Sequence, residues 1–244
     1  MHIPDGFVPA PVCIAGYGVT GLLTWYSLKH IRKQGNATAE IPKASLLAAT
    51  FFVASSIHIP VPPTSIHLVL NGLLGAMLGY FAFPAILIGL FFQAVFLGHG
   101  GLSTLGVDAV MMGLPALIAY GVFRLRFRLP QQLPPRWRIG IAGFLAGSIG
   151  LGLAVLIFVG LIVTTIPTGF DAATERTAVV GLALTHLPLV VIEGLFTALL
   201  VVFLQRVKPD MLPQALSRDQ GLQAQASRSQ TLPEQGDPVY EAKL

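Results

Sequence analysis

Long uncharged apolar stretches constrain the fold of this chain more than any other feature of its sequence. The run "IGIAGFLAGSIGLGLAVLIFVGLIVTT" covers residues 139–165 without a charged side chain. A helix needs about 20 such residues to cross the roughly 30 Å hydrocarbon core of a bilayer. We therefore interpret this stretch as a membrane-spanning helix rather than as part of a soluble core.

Seven apolar stretches of suitable length occur along the chain. They cover residues 11–29, 44–60, 65–82, 83–98, 107–124, 139–165 and 178–204. Hydrophobic residues make up 54% of the sequence and charged residues 11%, against about 25% charged in a soluble domain. We predict an all-α integral membrane protein with seven transmembrane helices in one domain, residues 1–206. The short sequence around Pro84 predicts a tight or re-entrant turn between the third and fourth helices.

The basic residues predict the orientation of these helices. All but one of the 15 lysines and arginines fall on one side of a seven-helix topology, and Arg176 is the exception. Lysine and arginine collect on the cytoplasmic side of a membrane. We therefore predict an N-terminus outside and a C-terminus in the cytoplasm of the cell (inner or plasma) membrane. Positive charge spread over several loops for orientation also argues against a nucleic-acid partner.

The sequence after the last apolar stretch predicts a disordered cytoplasmic tail, residues 207–244. It is polar, rich in Gln, Ser and Pro, and shows no periodicity. A phosphate-binding loop of the Walker type is absent from the sequence. Energy for uphill transport would therefore have to come from another chain or from an ion gradient. The single cysteine, Cys13, excludes an intrachain disulfide.

The opening "MHIPDGFVPAP" predicts a metal chelate. It lacks the basic and apolar regions of a secretory signal, so we expect it to stay on the mature protein. A free Met1 amine, the His2 amide nitrogen and the His2 imidazole can close two fused chelate rings on one ion. Such an all-nitrogen planar set suits Ni(II), Cu(II) or a similar late divalent ion. The alternative is a frayed terminus whose second residue happens to be histidine.

The stretch "SSIHIPVPPTSIHLVLNGLLG" offers a fourth ligand for this chelate. Its prolines end one helix, and Thr64 or Ser65 is a good N-cap for the next. This predicts His67 in the first helical turn, pointing into the mouth of the bundle. Asn71 would lie one turn below on the same face, where it could orient His67 or meet the substrate. His58 competes for the ligand role, and spacing alone does not choose between the two histidines.

An intramembrane zinc hydrolase is the alternative hypothesis. Glu193 follows His186 by two helical turns on one face, and an ionisable residue in a span costs about 3 kcal/mol or more. The sequence nevertheless lacks the HExxH pair that places two zinc ligands beside a general base. A solitary channel is disfavoured as well, because a multidentate nitrogen cage binds an ion too tightly for rapid passage.

The motifs "MHIPDGF", "PVPPTSIHLVLNGLLG", "GHGGLSTLGVDAVMMGLPAL" and "THLPLVVIEGLFTALLV" resemble those of the CbiM/NikM family over residues 1 to about 205. That family supplies the substrate-binding S components of energy-coupling-factor (ECF) transporters for cobalt and nickel. The resemblance implies seven helices, one more than other S components, with the extra helix at the N-terminus. It implies a metal held by the Met1 amine, by the His2 amide and ring nitrogens, and by His67. Asp108 stands where the family commonly has asparagine.

The same resemblance implies what the protein works with. The partners would be a transmembrane scaffold (T component), two cytoplasmic ATPase subunits and a small CbiN-like auxiliary membrane protein, all in the lipid bilayer. The protein would have no catalytic residues and no cofactor of its own, and Co(II) or Ni(II) would be transported. The donor set accepts both metals, and the resemblance is closer to the cobalt type, which would serve cobalamin biosynthesis. Four residues are expected around the ligands without binding the ion: Asn71, His58, His99 and Asp108.

Overall fold

The computed structural model describes residues 2–34, 37–61, 64–165 and 172–213. Within these residues the chain forms seven α-helices and one antiparallel hairpin, so the predicted all-α class is confirmed with one small addition. The helices are α1 Ala10–Arg32, α2 Ala37–Ser56, α3 Asn71–Leu78, α4 Ala82–Phe92, α5 Leu105–Arg124, α6 Pro135–Thr165 and α7 Ala172–Val207. The strands are β1 His58–Val61 and β2 Thr64–His67. The part of the predicted tail from residue 214 onward lies outside the described residues.

Four helical stretches of the described residues are long and apolar enough to cross a membrane. They are Asn71–Leu97, Leu105–Phe127, Pro135–Thr165 and Val179–Val207. The first includes α3, a 3₁₀ turn at Gly79–Phe81, α4 and a π-helical turn at Gln93–Leu97. The chain is therefore an integral membrane protein that passes through the bilayer several times.

The stretch Asn71–Leu97 is not one straight rod, because the chain reverses at Gly79. A side chain added to Gly75 in α3 would overlap the backbone of Ala116 in α5, and one added to Gly79 would meet the ring of Tyr120. The α3 helix thus runs in the same direction as α5. Beyond α4, Gly100 lies beside Asp108 in the first turn of α5, so α4 runs back. Gly79 makes the turn with φ of +59°, a conformation that glycine adopts without strain.

The hairpin corrects the prediction of a helix from residue 65. β1 pairs with β2 so that His58 lies opposite His67, and α2 ends at Ser56 rather than residue 60. The physical reason is local: prolines in this stretch remove backbone donors, and its Ile, Val and Thr residues favour extended chain. His67 therefore lies at the end of a strand, and not in the first turn of a helix.

Small residues allow the central helices to approach closely. A Cβ added to Gly72 of α3 would meet the backbone of Ala146 and Gly147 in α6. A Cβ added to Gly147 would also meet the backbone of Glu193 in α7. Packing through small residues is usual between membrane helices, where the hydrophobic effect does not drive helices together. Gly72 and Gly147 thus lie at the contacts that join α3, α6 and α7.

The bundle has two chemically different ends. The histidine end carries His2, His67 and His99, whose rings lie next to one another. The arginine end carries a strap, residues 208–213, that follows α7. Lys43 Nζ donates to the carbonyl of Met211 at 3.3 Å, and the Arg126 guanidinium donates to the carbonyl of Pro213. Leu212 is buried beneath them, so the strap lies against the ends of the helices.

Candidate metal centre

The N-terminal segment is anchored at the histidine end through Ile3. Its side chain is only 1% exposed. Its backbone N–H donates to the two carboxylate oxygens of Asp108 at 3.2 and 3.3 Å, and its carbonyl accepts from the hydroxyl of Thr104. Both backbone groups of the residue after His2 are therefore fixed by the start of α5. This places the predicted ligand His2 against the loop between α4 and α5.

Asp5 makes a second anchor on the same loop. Its carboxylate accepts from the backbone N–H of Ser103 at 2.9 Å and from the Ser103 hydroxyl. The hydrogen bond from the Ser103 hydroxyl, followed by that from the Ser103 amide, lowers the pKa of Asp5 below its ordinary value of 3.8. Nearby, the Tyr17 hydroxyl donates to the carbonyl of Leu102. The segment is thus tied to the loop at two successive points.

The rings of His2 and His67 lie close enough to share an ion. Their centroids are 5.1 Å apart and their planes differ by 14°. Two imidazoles that bind one ion, each with a metal–nitrogen distance of about 2.0–2.1 Å, have centroids no more than about 6 Å apart. The observed separation falls inside this limit with room for a bent arrangement of the two nitrogens about the ion. The structure therefore brings together the two predicted imidazole ligands.

The hydrogen bonding of His67 indicates which of its nitrogens faces a metal. The side chain is 3% exposed, and its Nδ1 lies 3.2 Å from the carbonyl oxygen of Leu68. A carbonyl can only accept, so Nδ1 carries the proton and Nε2 carries the lone pair. Metal-binding histidines usually donate their other ring N–H in this way, which fixes the tautomer and the ring orientation.

His99 lies on another side of His2 and fits a shared ion less well. The π-helical turn Gln93–Leu97 ends in Gly98 with φ of +62°, and the His99 amide donates to the carbonyl of Gln93 at 3.2 Å. This places the His99 ring centroid 6.0 Å from that of His2, with the planes 8° apart. At that separation the two metal–nitrogen bonds would have to form a wider angle at a shared ion than those of the His2 and His67 rings. His99 is thus a neighbour of the His2 ring.

Side chains alone do not complete a metal site in the described part of the chain. Among residues 2–34, 37–61, 64–165 and 172–213, no group of three or more His, Cys, Asp or Glu side chains could hold a metal ion. Met1 and the side chain of His58 lie outside what the structure describes. The predicted chelate is not a group of this kind, because two of its donors are the Met1 amine and the His2 amide nitrogen.

Asn71 does not lie beside His67 on a helix face, in contrast to our expectation. Its side-chain NH₂ donates to the carbonyls of Met112 at 3.3 Å and Gly150 at 3.0 Å, and its side-chain oxygen accepts from the backbone of Gly72. These bonds connect the start of α3 to α5 and α6. The role of Asn71 around the metal stays a prediction.

The sequence alone does not reveal the hydrogen-bond partners of three polar residues, Ser103, Thr104 and Glu193. Thr104 and Ser103 bind the N-terminal segment, and Glu193 accepts hydrogen bonds from the backbone of Val69 and Leu70. The only sequence signal for Ser103 and Thr104 was their place just before a helix, where such residues cap. His186 is buried elsewhere on α7, with Nδ1 2.7 Å from its own helix's Leu182 carbonyl.

These features define a class: a helical membrane protein with two neighbouring imidazoles, those of His2 and His67, at one end of its bundle. The chain belongs to the CbiM family, described as the cobalt uptake substrate-specific transmembrane region, whose profile matches residues 2–211. The resemblance of the sequence motifs to this family is thereby confirmed.

Several relatives agree with this placement. A putative metal transport protein of Haemophilus influenzae is 32% identical over 214 residues, which are 87% of this chain and 97% of the relative. A cobalt transport protein, CbiM of Sorangium cellulosum, is 32% identical over 87% of this chain and 94% of its own length. A fused nickel transport protein, NikMN of Rhodobacter capsulatus, is also 32% identical and matches over 64% of its length.

Two solved structures share the fold. The crystal structure of a truncated transition metal transporter superposes with a TM-score of 0.67 at 22% identity, over 85% of this chain and 99% of that one. A second transition metal transporter gives the same TM-score at 23% identity. At this level of identity the likeness supports the helical arrangement described above.

Proposed function

We propose that this protein is the substrate-binding S component of an ECF-type importer, and that it captures Co(II) or Ni(II) as its substrate at the outer face of the membrane. Family membership supports the transport role. The observation that carries the assignment is the 5.1 Å separation of the His2 and His67 rings, which belong to distant parts of the sequence. The protein acts as a transporter subunit rather than as an enzyme.

The proposed ligands are four nitrogens. They are the Met1 amine, the His2 amide nitrogen, the His2 ring and Nε2 of His67. Metal binding displaces protons from such ligands, so the affinity for the substrate depends on pH. Asp108 and Thr104 fix the peptide that follows His2, and this holds the chelating residues in place before the ion arrives. Cobalt and nickel both suit this donor set.

The proposed topology has seven crossings with the N-terminus outside. The reversal at Gly79 supports two crossings within Asn71–Leu97, since α3 and α4 run in opposite directions. The eight residues of α3 span only about 12 Å, so the extended chain before Asn71 completes that crossing. Lys43, Arg126 and the strap lie at one end, as expected for the cytoplasmic side.

Release of the ion toward the cytoplasm would depend on other subunits. The sequence contains no Walker-type nucleotide loop. We propose that two cytoplasmic ATPases act through a transmembrane T component, and that a small CbiN-like auxiliary membrane protein completes the assembly. The part of the tail beyond the strap, residues 214–244, would lie on the cytoplasmic side.

The zinc hydrolase is the less well supported alternative. Each carboxylate oxygen of Glu193 accepts a backbone N–H, one from Val69 and one from Leu70. A general base must instead direct a lone pair at a water or substrate proton. Nδ1 of His186 is engaged with the Leu182 carbonyl in its own helix. These contacts favour a structural role for Glu193.

An extension of the N-terminus tests the chelate. One alanine placed ahead of Met1 turns the terminal amine into a secondary amide and moves the new amine one residue away from His2. We expect Ni(II) and Co(II) binding by the purified protein, and uptake by cells with the full transporter, to collapse while membrane insertion is unchanged. The control carries the same alanine after Leu244 and should bind normally. Undiminished binding by the extended protein would exclude the chelate.

A further inference from the structure

Glu193 is a buried carboxylate that lies far from the chain termini and contacts the segment after His67. It sits in the middle of α7 with 1% of its surface exposed. One oxygen accepts the backbone N–H of Val69, and the other accepts that of Leu70 at 3.1 Å. A carboxylate buried among membrane helices requires such partners, because an unpaired one is costly.

The backbone N–H groups of Val69 and Leu70 need an acceptor from outside because of their place at the start of α3. Leu70 is the N-cap residue of α3 and Val69 precedes it, so neither N–H has a partner within the helix. The residue at the cap position is Leu70, whose side chain offers no hydrogen bond and whose φ is +54°. Non-glycine residues seldom adopt this conformation. Glu193 thus accepts from the N-cap N–H of α3, as the Glu of a capping box does, but from a different helix, and it also holds the N–H of the residue before it.

This cap is connected to the metal ligand by a very short piece of chain. Only Leu68 separates His67 from Val69, and the Leu68 carbonyl accepts the hydrogen bond from Nδ1 of His67. The peptide between Leu68 and Val69 therefore has its carbonyl on the His67 ring and its N–H on Glu193. A rotation of that one peptide plane would break both hydrogen bonds together.

Asn71 opposes such a rotation because it fixes the chain on the C-terminal side of that peptide. Asn71 binds the carbonyls of Met112 in α5 and Gly150 in α6, which fixes the start of α3. The segment 68–70 is then clamped between the hairpin strand that ends at His67 and the fixed start of α3. Its remaining freedom is the orientation of the peptides that Glu193 holds.

We propose that Glu193 is a positioning residue of the metal site, which holds the His67 imidazole in its ligand orientation through the Leu68–Val69 peptide. This inference rests on the proposed function and adds to it a link between α7 and the site. The arrangement matches that at the other ligand, where Asp108 holds the N–H of the residue after His2. Each ligand histidine is followed by backbone fixed by a buried carboxylate from another helix.

The variant Glu193→Gln tests this role. A glutamine amide has one acceptor oxygen and one donor NH₂, so it can satisfy only one of the two N–H groups and must face the other with a donor. Loss of an outer partner of a metal ligand typically weakens binding by about 10–100-fold. We expect a loss of Ni(II) affinity in this range for the purified full-length protein. The matched control is Thr197→Val one turn along α7, which preserves shape and removes a buried hydroxyl without a hydrogen-bond partner in the described residues.

A double-mutant cycle separates positioning from general damage. If Glu193 acts through His67, the Glu193→Gln change should have no effect on Ni(II) affinity in a His67→Ala background, where the N-terminal chelate still binds. An equal loss in both backgrounds, or no loss in the wild-type background, would overturn the inference. If instead the wild-type protein does not bind Ni(II), or His67→Ala binds as well as wild type, the proposed function itself fails. These results can be told apart in one set of titrations.

Discussion

Single side chains, rather than sheet or helix pairing, hold the N-terminal segment at the histidine end. The Ile3 side chain is buried, and its backbone N–H and carbonyl bond to Asp108 and Thr104. The Asp5 carboxylate accepts from the backbone N–H of Ser103. A terminus is normally poorly ordered unless it is tied down in this manner. Because the ordering is completed on folding, the ion does not have to supply that free energy when it binds.

The anchor at Asp5 leads to a prediction about a residue that touches no ligand. Asp5→Ala removes the acceptor for both Ser103 donors, so the segment should be less ordered. We expect faster hydrogen exchange at the Ser103 amide and Ni(II) affinity that falls by less than the roughly 10–100-fold of a direct partner. Asp5→Asn, which retains an acceptor oxygen, is the control and should lie close to wild type. Unchanged exchange at Ser103 in the alanine variant would contradict the anchor.

The pH dependence of this anchor has a definite sign. The hydrogen bonds from Ser103 lower the pKa of Asp5 in the folded protein below 3.8. The stabilisation is therefore fully present above the unfolded value and is lost as the pH falls through the lowered value. At neutral pH the anchor is complete, so changes in metal binding there arise from other groups.

At the residue scale the sequence predicts His2 and His67 as metal ligands, and this stays a prediction; it does not predict the contacts that place them. Histidine is a common metal ligand, and His2 also stands next to the terminal amine, so both can be proposed from the sequence. The structure places their ring centroids 5.1 Å apart. The hydrogen bonds from Ser103 to Asp5 and from Val69 to Glu193 join residues 98 and 124 positions apart. Such pairs depend on how the helices pack, and a single sequence holds no local signal for them.

The helix α3 is shorter than the apolar pattern of the sequence predicts. Apolar content alone predicted a helix over 65–82, yet only Asn71–Leu78 is α-helical. The prolines predicted the end of α2 near residue 60, but the helix ends at Ser56, and pairing of His58 with His67 keeps the chain extended as far as the strand end. The reversal at Gly79 agrees with the tight turn predicted from the lack of a loop. The predicted bounds of α6, residues 139–165, lie within a few residues of the observed Pro135–Thr165, because its long uncharged apolar run contains no proline that would interrupt a helix.

Packing of α3 against α5 yields a prediction at the scale of the element. A Cβ at Gly75 would overlap the backbone of Ala116, and backbone cannot move aside as a flexible side chain can. We expect Gly75→Ala to destabilise the protein by about 1–3 kcal/mol, the usual cost of overpacking. Thermal unfolding in detergent measures this loss as a lower midpoint.

The matched control for that experiment lies in α5 itself. A Cβ added to Gly121 meets nothing within 4 Å, so Gly121→Ala should be neutral or should raise stability by up to about 1 kcal/mol through helix propensity. If Gly75→Ala were as stable as Gly121→Ala, the close approach of α3 to α5 would be wrong.

At the scale of the whole molecule, ligand chemistry and positive charge are at opposite ends. The imidazole pair and its anchors lie at the histidine end, whereas Lys43 and Arg126 hold the strap at the arginine end. Lys43 and Arg126 are two of the basic residues whose distribution in the sequence predicts the orientation, and that orientation stays a prediction. In the proposed topology the imidazole pair faces the outside, and the arginine end faces the cytoplasm, where the proposed ATPase partners act.

Cysteine labelling tests this arrangement and the number of crossings together. In a Cys13→Ser background, we choose single cysteines at Gln34, between α1 and α2, at exposed Leu102, between α4 and α5, and at exposed Gln131, between α5 and α6. With seven crossings and an outer N-terminus, a membrane-impermeant maleimide added to intact cells should label Leu102→Cys alone. All three should react after permeabilisation. If α3 and α4 made a single crossing, Gln34→Cys and Leu102→Cys would label from the same side, because only two crossings would separate them. Labelling of Gln131→Cys and not of Leu102→Cys would invert the orientation and place the imidazole pair in the cytoplasm.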